Sequence, residues 1–352
     1  MSAELLSSAT ELEIDRIGEI RAMPILLLNV HENCNCRCMM CDIWKRPAGA
    51  ELSLNKVRSF QNDIRALKTQ QVVLTGGEPL LHSRFGELCR ILKDCNLRIT
   101  LLSTGLLLKK RAQLIAESVD EIIVSLDGPP ATHDAIRRIT RAYHLMQDGI
   151  SAVRYLRPDL AVHARSTVQS ANFQLLRETV AAAKALTCDS ISFLAVDTTS
   201  QAFNRELIWP REHENQIGLT SAQLSLLEEE IELLIVCNEN DIRNRYIQES
   251  SDKLRRIAHY FRGCLGEAPL VSPICNAPWI STVVEVDGTI RPCFFHRKVA
   301  TTIGQSLMSA VNSQAARHFR ETLDVAHNPI CQRCVCSLNY QQRVAQNAKS
   351  PE

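Results

Sequence analysis

Six short apolar segments alternate with amphipathic segments along the first part of the chain, and this alternation limits the possible folds more than any other feature. Strands that alternate with helices form parallel sheets, because each helix carries the chain back across one face of the sheet. Six strand–helix units are two fewer than the eight of a closed barrel. The pattern predicts an α/β fold whose strands lie near 25–30, 71–75, 97–103, 121–126, 160–168 and 190–196.

Helical spacing of apolar residues fills the intervals between these strands. Ser53 is the expected N-cap of the first helix, and Thr220 is expected to begin a long helix that completes the series. The charged segment 238–262 is predicted to be a solvated helix. Helices between the strands are predicted near 57–67, 85–92, 109–118, 133–155 and 173–186.

The chain changes character near Cys264, where three prolines between 269 and 278 exclude a continuing helix. The segment 280–291, with Asp287-Gly288 at its centre, is typical of a β-hairpin. The lead-in before residue 24 is expected to be a short amphipathic helix, too small for a leader-peptide-binding module. The expected organisation is a lead-in at 1–23, a core at 24–240, a linking helix at 241–263, a small α+β cysteine-rich domain at 264–340 and a polar tail at 341–352.

Four cysteines lie together directly after the first apolar segment, in Cys34-Asn35-Cys36-Arg37-Cys38-Met39-Met40-Cys41. Cys34, Cys38 and Cys41 form a Cys-x3-Cys-x2-Cys frame, and Cys36 is an extra thiol. Iron–sulfur clusters and structural zinc both use thiolate ligands. Zinc sites usually take paired ligands from two separate segments. Three ligands within one loop favour a cubane cluster in which the fourth iron stays open to another ligand.

A glycine motif, Gly76-Gly77-Glu78-Pro79, follows the second predicted strand. Two glycines allow the backbone to approach a ligand closely. Together with the cysteine frame, this motif resembles the signature of the radical S-adenosylmethionine (radical SAM) superfamily, although the residue before the last cysteine is Met40 where the family often has an aromatic residue. The resemblance implies a partial (β/α)6 TIM-like barrel, a [4Fe-4S] cluster whose open iron binds SAM, and contacts from the glycine motif to the amino group of SAM.

The resemblance also implies further cofactor contacts at the ends of later strands. Each has a structural alternative, since Ser, Thr and Asp also form turns and caps, Arg165 could form an ordinary ion pair, and Asn172 could cap the helix that follows it. A guanidinium at Arg165 matches the SAM carboxylate. The segment His133 to Arg138 is expected to begin a helix and pack. The implied contacts are Ser103, Thr104, Ser125, Asp127, Arg165 and Asn172.

A second group of cysteines lies near the C-terminus. The hairpin is flanked by Cys275 and Cys293, and a Cys-x2-Cys pair follows at Cys331 and Cys334. Four such thiolates could hold a fully ligated [4Fe-4S] cluster or a zinc ion. The arrangement resembles the SPASM and Twitch extensions of the radical SAM superfamily, and its cysteine count implies one auxiliary cluster. The last ligand is Cys334 or Cys336, and Cys264 could replace it.

Composition excludes several other classes of protein. Forty basic and thirty-nine acidic residues leave a net charge of +1, which gives no electrostatic reason for nucleic acid or an anionic membrane as the main partner. No apolar run approaches the length of a membrane span, and the first 23 residues do not read as a signal peptide. Fourteen cysteines then indicate metal ligands and buried thiols in a reducing, cytoplasmic compartment. Incidental thiols are expected at Cys36, Cys89, Cys95, Cys188 and Cys237.

The resemblance implies a radical SAM oxidoreductase that cleaves SAM reductively and abstracts hydrogen from its substrate, with a flavodoxin- or ferredoxin-type electron donor. A small biosynthetic metabolite is the expected substrate, with net oxidation or rearrangement as the result. A ribosomal peptide or protein is the alternative substrate. A non-catalytic iron–sulfur protein for redox sensing or binding is the alternative from another class. Asp197, after the sixth strand, marks the expected substrate side, where capping of a loop is its simpler role.

Overall fold

The computed structural model describes residues 18–46, 49–200, 202–203, 209–336 and 338–340. The lead-in helix and the polar tail predicted from sequence lie almost entirely outside these residues. Nine strands of the described part form one sheet: β1 Ile25–His31, β2 Gln71–Gly76, β3 Arg98–Ser103, β4 Glu121–Ser125, β5 Ala161–Val168, β6 Ser190–Ala195, β7 Ser281–Val284, β8 Thr289–Arg291 and β9 Ala300–Thr301.

The first six strands lie side by side in chain order and every neighbouring pair is parallel. Burial along the strands has a period of two, as in β5, where Val162, Ala164, Ser166 and Val168 are buried and the residues that alternate with them are only half-buried. The buried rows pack against helices and form a continuous apolar core. This arrangement confirms the predicted α/β class and the partial barrel of six βα units.

The helices that connect and follow these strands agree with the predicted pattern, with three differences. The helix predicted near 57–67 is two short helices, and the one predicted near 133–155 is divided where Arg138 and Arg141 adopt positive φ angles of 53° and 61°. The helices are α1 Leu54–Ser59, α2 Gln61–Ala66, α3 Phe85–Lys93, α4 Ala112–Ser118, α5 Pro130–Arg137, α6 Ala142–Leu156, α7 Leu176–Ala185, α8 Arg211–Ile217, α9 Ser221–Cys237, α10 Glu239–Arg243, α11 Ser251–Cys264, α12 Ala277–Ile280, α13 Leu307–Val311, α14 Gln314–Thr322 and α15 Pro329–Gln332.

The third difference is at 238–262, where the prediction of a solvated helix is wrong. The segment forms α10 and α11, and α11 buries Leu254, Ile257 and Phe261 against α9 and β6. Between the two helices, Ile247 forms a β-bridge with Ile191 of β6. The charged residues therefore cover only one side of an amphipathic helix that closes the edge of the barrel.

The predicted C-terminal hairpin is present as β7 and β8, which pair antiparallel. It does not form a sheet of its own, because β7 pairs parallel with β1 and extends the barrel sheet. The helices that follow also return to the core, where the Arg320 guanidinium donates to the Gly18 carbonyl at 2.7 Å. No helix of the described residues is long and apolar enough to cross a membrane.

Candidate functional site

The glycine motif and the cysteine loop are packed against each other at the ends of β1 and β2. The Gly77 amide donates to the His31 carbonyl and the Glu78 amide to the Asn33 carbonyl, both at 2.8 Å. A Cβ atom on Gly77 would lie only 2.0 Å from the Asn33 carbonyl oxygen. The glycine is thus required where the motif approaches the backbone that leads into Cys34.

Glu78 connects this motif to the end of β3. Its carboxylate is completely buried and accepts hydrogen bonds from the Leu80 amide, the Ser103 hydroxyl, and the amide and hydroxyl of Thr104, at 2.7–3.1 Å. Burial raises the pKa of the Glu78 carboxyl although these donors favour the charged form. The structure therefore brings together three residues that the resemblance implies as SAM contacts. Ser103 and Thr104 donate to Glu78, and the Thr104 hydroxyl also lies 3.0 Å from Oδ1 of Asn35 in the cysteine loop. Contact of these residues with SAM stays a prediction.

Arg137, at the end of α5, joins the cysteine loop to β4. The residue is 7% exposed, and its guanidinium donates to the Sγ atom of Cys38 at 3.4 Å and forms an ion pair with Asp127 at 2.5 Å. The Arg137 carbonyl accepts from the Arg37 amide at 3.1 Å. Sequence reasoning assigned this segment only to packing and missed Arg137. The available signal was an arginine beside Ile136, one turn after His133, on the side of the helix that must be buried.

Asp127 is the centre of a buried polar network. Its carboxylate accepts from the Thr167 amide at 3.0 Å, and its carbonyl accepts from the Asn172 side-chain amide at 3.0 Å. The Asp127 amide donates to Nδ1 of His133 at 3.3 Å. Burial, and then the charge of Arg137, lower the pKa of His133 to about 3. The network fixes β4, β5 and α5 relative to each other.

Asn172 does not act as the helix cap that the sequence suggested. Its Oδ1 atom accepts from the Gln169 amide at 2.8 Å, and α7 begins only at Leu176. The cap interpretation is wrong because a turn at 169–175 intervenes between the strand and the helix. Asp197, in contrast, accepts from the amides of Thr199 and Ser200 at 3.1 Å. It therefore caps its own loop, which is the simpler of the two roles expected from the sequence.

The thiols of the first loop have an environment that suits metal ligands. A hydrogen bond from Cys36, and then the charge of Arg137, lower the pKa of Cys38 to about 6 although burial opposes the charged form. Hydrogen bonds to Cys34 and Cys38, and then burial, raise the pKa of Cys36. Cys34 and Cys41 are half-buried, and a recess of about 500 Å³ lies beside Cys34. The loop therefore offers thiolate donors next to open space, which fits a cluster that binds a further ligand.

The cysteines of the C-terminal group also lie close together. Burial, and then the charge of the neighbouring cysteines, raises the pKa of Cys293 to about 12 and that of Cys331 to about 11. The same two causes raise the pKa of Cys334. The amides of Phe295 and His296 donate to the Cys293 sulfur. Electrostatic interactions between these thiols show that five cysteines lie near one another: Cys275, Cys293, Cys331, Cys334 and Cys336.

These thiols share a shielded site with donors directed at sulfur, which fits an iron–sulfur cluster. Cys264 has different neighbours, Tyr260 and Asp197. No three of the described His, Cys, Asp and Glu side chains converge tightly enough for a single metal ion. A cubane cluster needs a wider arrangement, because each thiolate binds a different iron. Of the incidental thiols, Cys237 is exposed, and those that the structure buries are Cys36, Cys89, Cys95 and Cys188.

The two remaining residues that are predicted to contact SAM lie on β4 and β5. Ser125 and Arg165 are paired in the register of these strands, and Nε of Arg165 donates to the Ser192 hydroxyl at 3.3 Å. Arg165 lines a cavity that also contains Cys334 and Cys336. A contact of either residue with SAM stays a prediction.

Comparisons with known proteins agree with this geometry. A family model described as the radical SAM superfamily matches residues 28–158, and a model described as an iron–sulfur cluster-binding domain, SPASM, matches residues 275–335. The GTP 3′,8-cyclase of Pseudomonas entomophila is 30% identical over 72% of this chain and 70% of the relative. The AdoMet-dependent heme synthase of Methanosarcina barkeri is 26% identical over 56% of this chain, and the pre-heme d1 synthase of Dinoroseobacter shibae 28% over 46%. These last two alignments span 58% and 41% of the relatives.

Solved structures show the same fold at low sequence identity. The structure of anSMEcpe with bound AdoMet has a TM-score of 0.63 and 16% identity, with 88% of this chain and 86% of that chain covered. Streptococcus suis SuiB bound to S-adenosylmethionine has a TM-score of 0.60 and 13% identity, with 90% and 73% covered. The family matches confirm the predicted cofactors, which are SAM, its [4Fe-4S] cluster and an auxiliary cluster. The chain belongs to the radical SAM superfamily and carries a C-terminal iron–sulfur cluster-binding domain of the SPASM type.

Proposed function

We propose that the protein is a radical SAM oxidoreductase that acts on a small biosynthetic metabolite by net oxidation or rearrangement. When bound, the reduced cluster and SAM supply a 5′-deoxyadenosyl radical that removes a hydrogen atom from the substrate. The observation that carries the proposal is the contact of buried Arg137 with Cys38, in a loop held by the glycine motif.

The residues of the chain prepare this chemistry in three ways. Cys34, Cys38 and Cys41 would hold the SAM-binding cluster, and the hydrogen bond from Cys36 together with the charge of Arg137 lowers the pKa of Cys38, which favours the thiolate that binds iron. Gly77 lets the glycine motif approach the cysteine loop. The auxiliary cluster would be held by Cys275, Cys293, Cys331 and either Cys334 or Cys336. When bound there, the cluster would supply an acceptor for an electron from the substrate radical, or an anchor for the substrate.

An acidic electron donor such as flavodoxin or ferredoxin is the partner that the surface favours. Arg37 and Arg138 are exposed and both line the recess beside Cys34. Positive charge at this position attracts an acidic protein and increases its rate of association. The donor would then lie next to the cluster that it reduces.

The names of the curated relatives support a small substrate, since GTP 3′,8-cyclase and the two heme-related synthases are named for small molecules. The alignments cover only part of the heme-related proteins, so neither reaction is assigned to this chain. A peptide substrate is the second candidate, because SuiB with its precursor peptide has a TM-score of 0.59. That likeness extends to the fold alone.

The direct test is the formation of 5′-deoxyadenosine from SAM by anaerobically reconstituted protein with dithionite. We expect the wild-type protein and a Cys89→Ala variant to form it, and a Cys38→Ala variant to form none. Cys89 is a matched control because it is also a buried thiol but lies on α3, outside both groups of cysteines. Cluster-loaded wild-type protein that forms no 5′-deoxyadenosine would favour the non-catalytic alternative instead.

A further inference from the structure

His296 lies between the two segments that supply the cysteines of the C-terminal group. Its Nε2 atom lies 3.3 Å from the Sγ atom of Cys331, a cysteine 35 residues later in the chain. The His296 amide donates to the sulfur of Cys293, which belongs to the same loop as the histidine. One residue therefore reaches sulfur atoms of both segments, through its backbone on one side and its imidazole on the other.

The imidazole of His296 is held in place by its surroundings. Only 5% of the residue is exposed, and its ring packs edge to face against Phe319 of α14, with the ring centres 4.9 Å apart. The His296 carbonyl accepts from Nη1 of Arg291 at 3.2 Å, and Nε of Arg291 donates to Glu285 at 2.9 Å. The position of the ring is therefore determined by the packing of α14 and by the hairpin of β7 and β8.

Cys331 is fixed from its own side as well. Oδ1 of Asn328 accepts from the amides of Ile330 and Cys331 at 3.0 and 3.2 Å, and this caps the short helix α15. A sulfur atom that is bound to iron has no hydrogen to donate, so the nitrogen that faces it must carry one. His296 would therefore be a hydrogen-bond donor to the sulfur of Cys331.

We propose that His296 is a positioning residue of the auxiliary cluster, whose N–H donates to the Cys331 thiolate and makes the cluster easier to reduce. Reduction adds negative charge to a cluster and its thiolates, so a donor directed at sulfur stabilises the reduced form more than the oxidised form. An easily reduced cluster suits the withdrawal of an electron from a substrate radical. The inference rests on the part of the proposed function that places a cluster on these cysteines, and it holds for any substrate.

The experiment is a redox titration followed by electron paramagnetic resonance (EPR), on the whole chain with Cys34→Ala/Cys38→Ala/Cys41→Ala as the background. The reduced auxiliary cluster is then the only source of the signal. His296→Phe keeps an aromatic ring for Phe319 but removes the donor. We expect it to lower the equilibrium constant for one-electron reduction about tenfold, which is about 59 mV towards negative potential. His296→Gln, whose side-chain amide can donate from nearly the same position, should recover most of that shift.

The matched control is His327→Phe, which removes an exposed imidazole from the segment that leads to Cys331. Its Nδ1 atom lies 2.7 Å from Asp324, and its loss should leave the potential unchanged. Equal potentials for His296→Phe and its background, at about four irons per chain, would overturn the inference and leave the auxiliary cluster in place. A background without iron would overturn the cluster assignment itself, and the inference with it.

Pulsed EPR on protein labelled with ¹⁵N-histidine is a second readout that does not depend on the stability of His296→Phe. A hydrogen bond from His296 should give a weak coupling between the reduced cluster and a histidine nitrogen, and His296→Gln should lack this coupling. The absence of any coupling in the unsubstituted background would overturn the inference. So would the strong coupling of a nitrogen bound directly to iron, because His296 would then be a ligand of the cluster.

Discussion

Asp127→Asn should destabilise the protein by about 3 kcal/mol, because it leaves the buried guanidinium of Arg137 without its carboxylate. Asp127 is completely buried, Arg137 is 7% exposed, and the two form an ion pair. Removing one partner of a buried pair costs about 3–5 kcal/mol. The asparagine keeps an oxygen for the Thr167 amide, so the change isolates the loss of charge. Since Cys38 remains as a second anionic neighbour of Arg137, the expected cost is at the lower end of that range.

A double-mutant cycle separates the ion pair from other effects of the substitution. Asp127→Asn, Arg137→Met and the double variant are compared by urea denaturation of anaerobic, cluster-loaded protein. The double variant should be less destabilised than the sum of the singles by about 1–3 kcal/mol. The control is Asp148→Asn, which breaks the exposed pair with Lys109 and should cost less than about 1 kcal/mol. Additive single effects, or an Asp127→Asn cost no larger than the control, would show that the pair does not stabilise the site.

Three other predictions concern backbone packing, pH and iron. Gly77→Ala should lower both stability and iron content, because its Cβ would overlap the Asn33 carbonyl, whereas Gly266→Ala, with open space around it, should cost only about 1 kcal/mol for its positive φ angle. The pKa of His133 is about 3 in the folded protein, below the value of about 6.5 in the unfolded chain. Below pH 6.5 the unfolded chain therefore binds a proton that the folded protein does not, and the free energy of unfolding falls by about 1.4 kcal/mol per pH unit. Urea midpoints at pH 7.5 and 5.5 should show this loss in the wild type and not in His133→Gln. Iron analysis should give about eight irons per chain, falling to about four in the Cys34→Ala/Cys38→Ala/Cys41→Ala variant; about four falling to none would refute an auxiliary cluster.

The sequence was sufficient for the features that have a local signal. Period-two and helical spacing located the six strands, and cysteine spacing identified both groups of thiols. Local spacing could not show that β7 joins β1, because paired residues of the two strands, such as Ile25 and Ser281, are 256 positions apart in the chain. Charge density at 238–262 also concealed Leu254 and Phe261, which make one side of α11 apolar.

The polar site residues were the hardest to assign, because their roles depend on contacts far apart in sequence. Glu78 and Ser103 were each plausible ligands by position, yet they satisfy each other's hydrogen bonds. Arg137 carried no motif of its own and contacts a cysteine 99 residues earlier in the chain. A burial pattern indicates that such a side chain needs a partner, but the sequence does not show which partner the fold supplies.

The sheet and the loops around it together determine how the two groups of cysteines are placed. The first loop follows the carboxyl end of β1, whereas Cys275 precedes the start of β7, which runs parallel beside β1. Phe295, two residues after Cys293, contacts Phe203, and the Phe203 carbonyl accepts from the Asp42 amide beside Cys41. Arg165, which lines a cavity with Cys334 and Cys336, is paired with Ser125 at the carboxyl end of β4. Loops rather than strand ends therefore bring the second group towards the first, and a substrate at the carboxyl ends of the strands would lie near both.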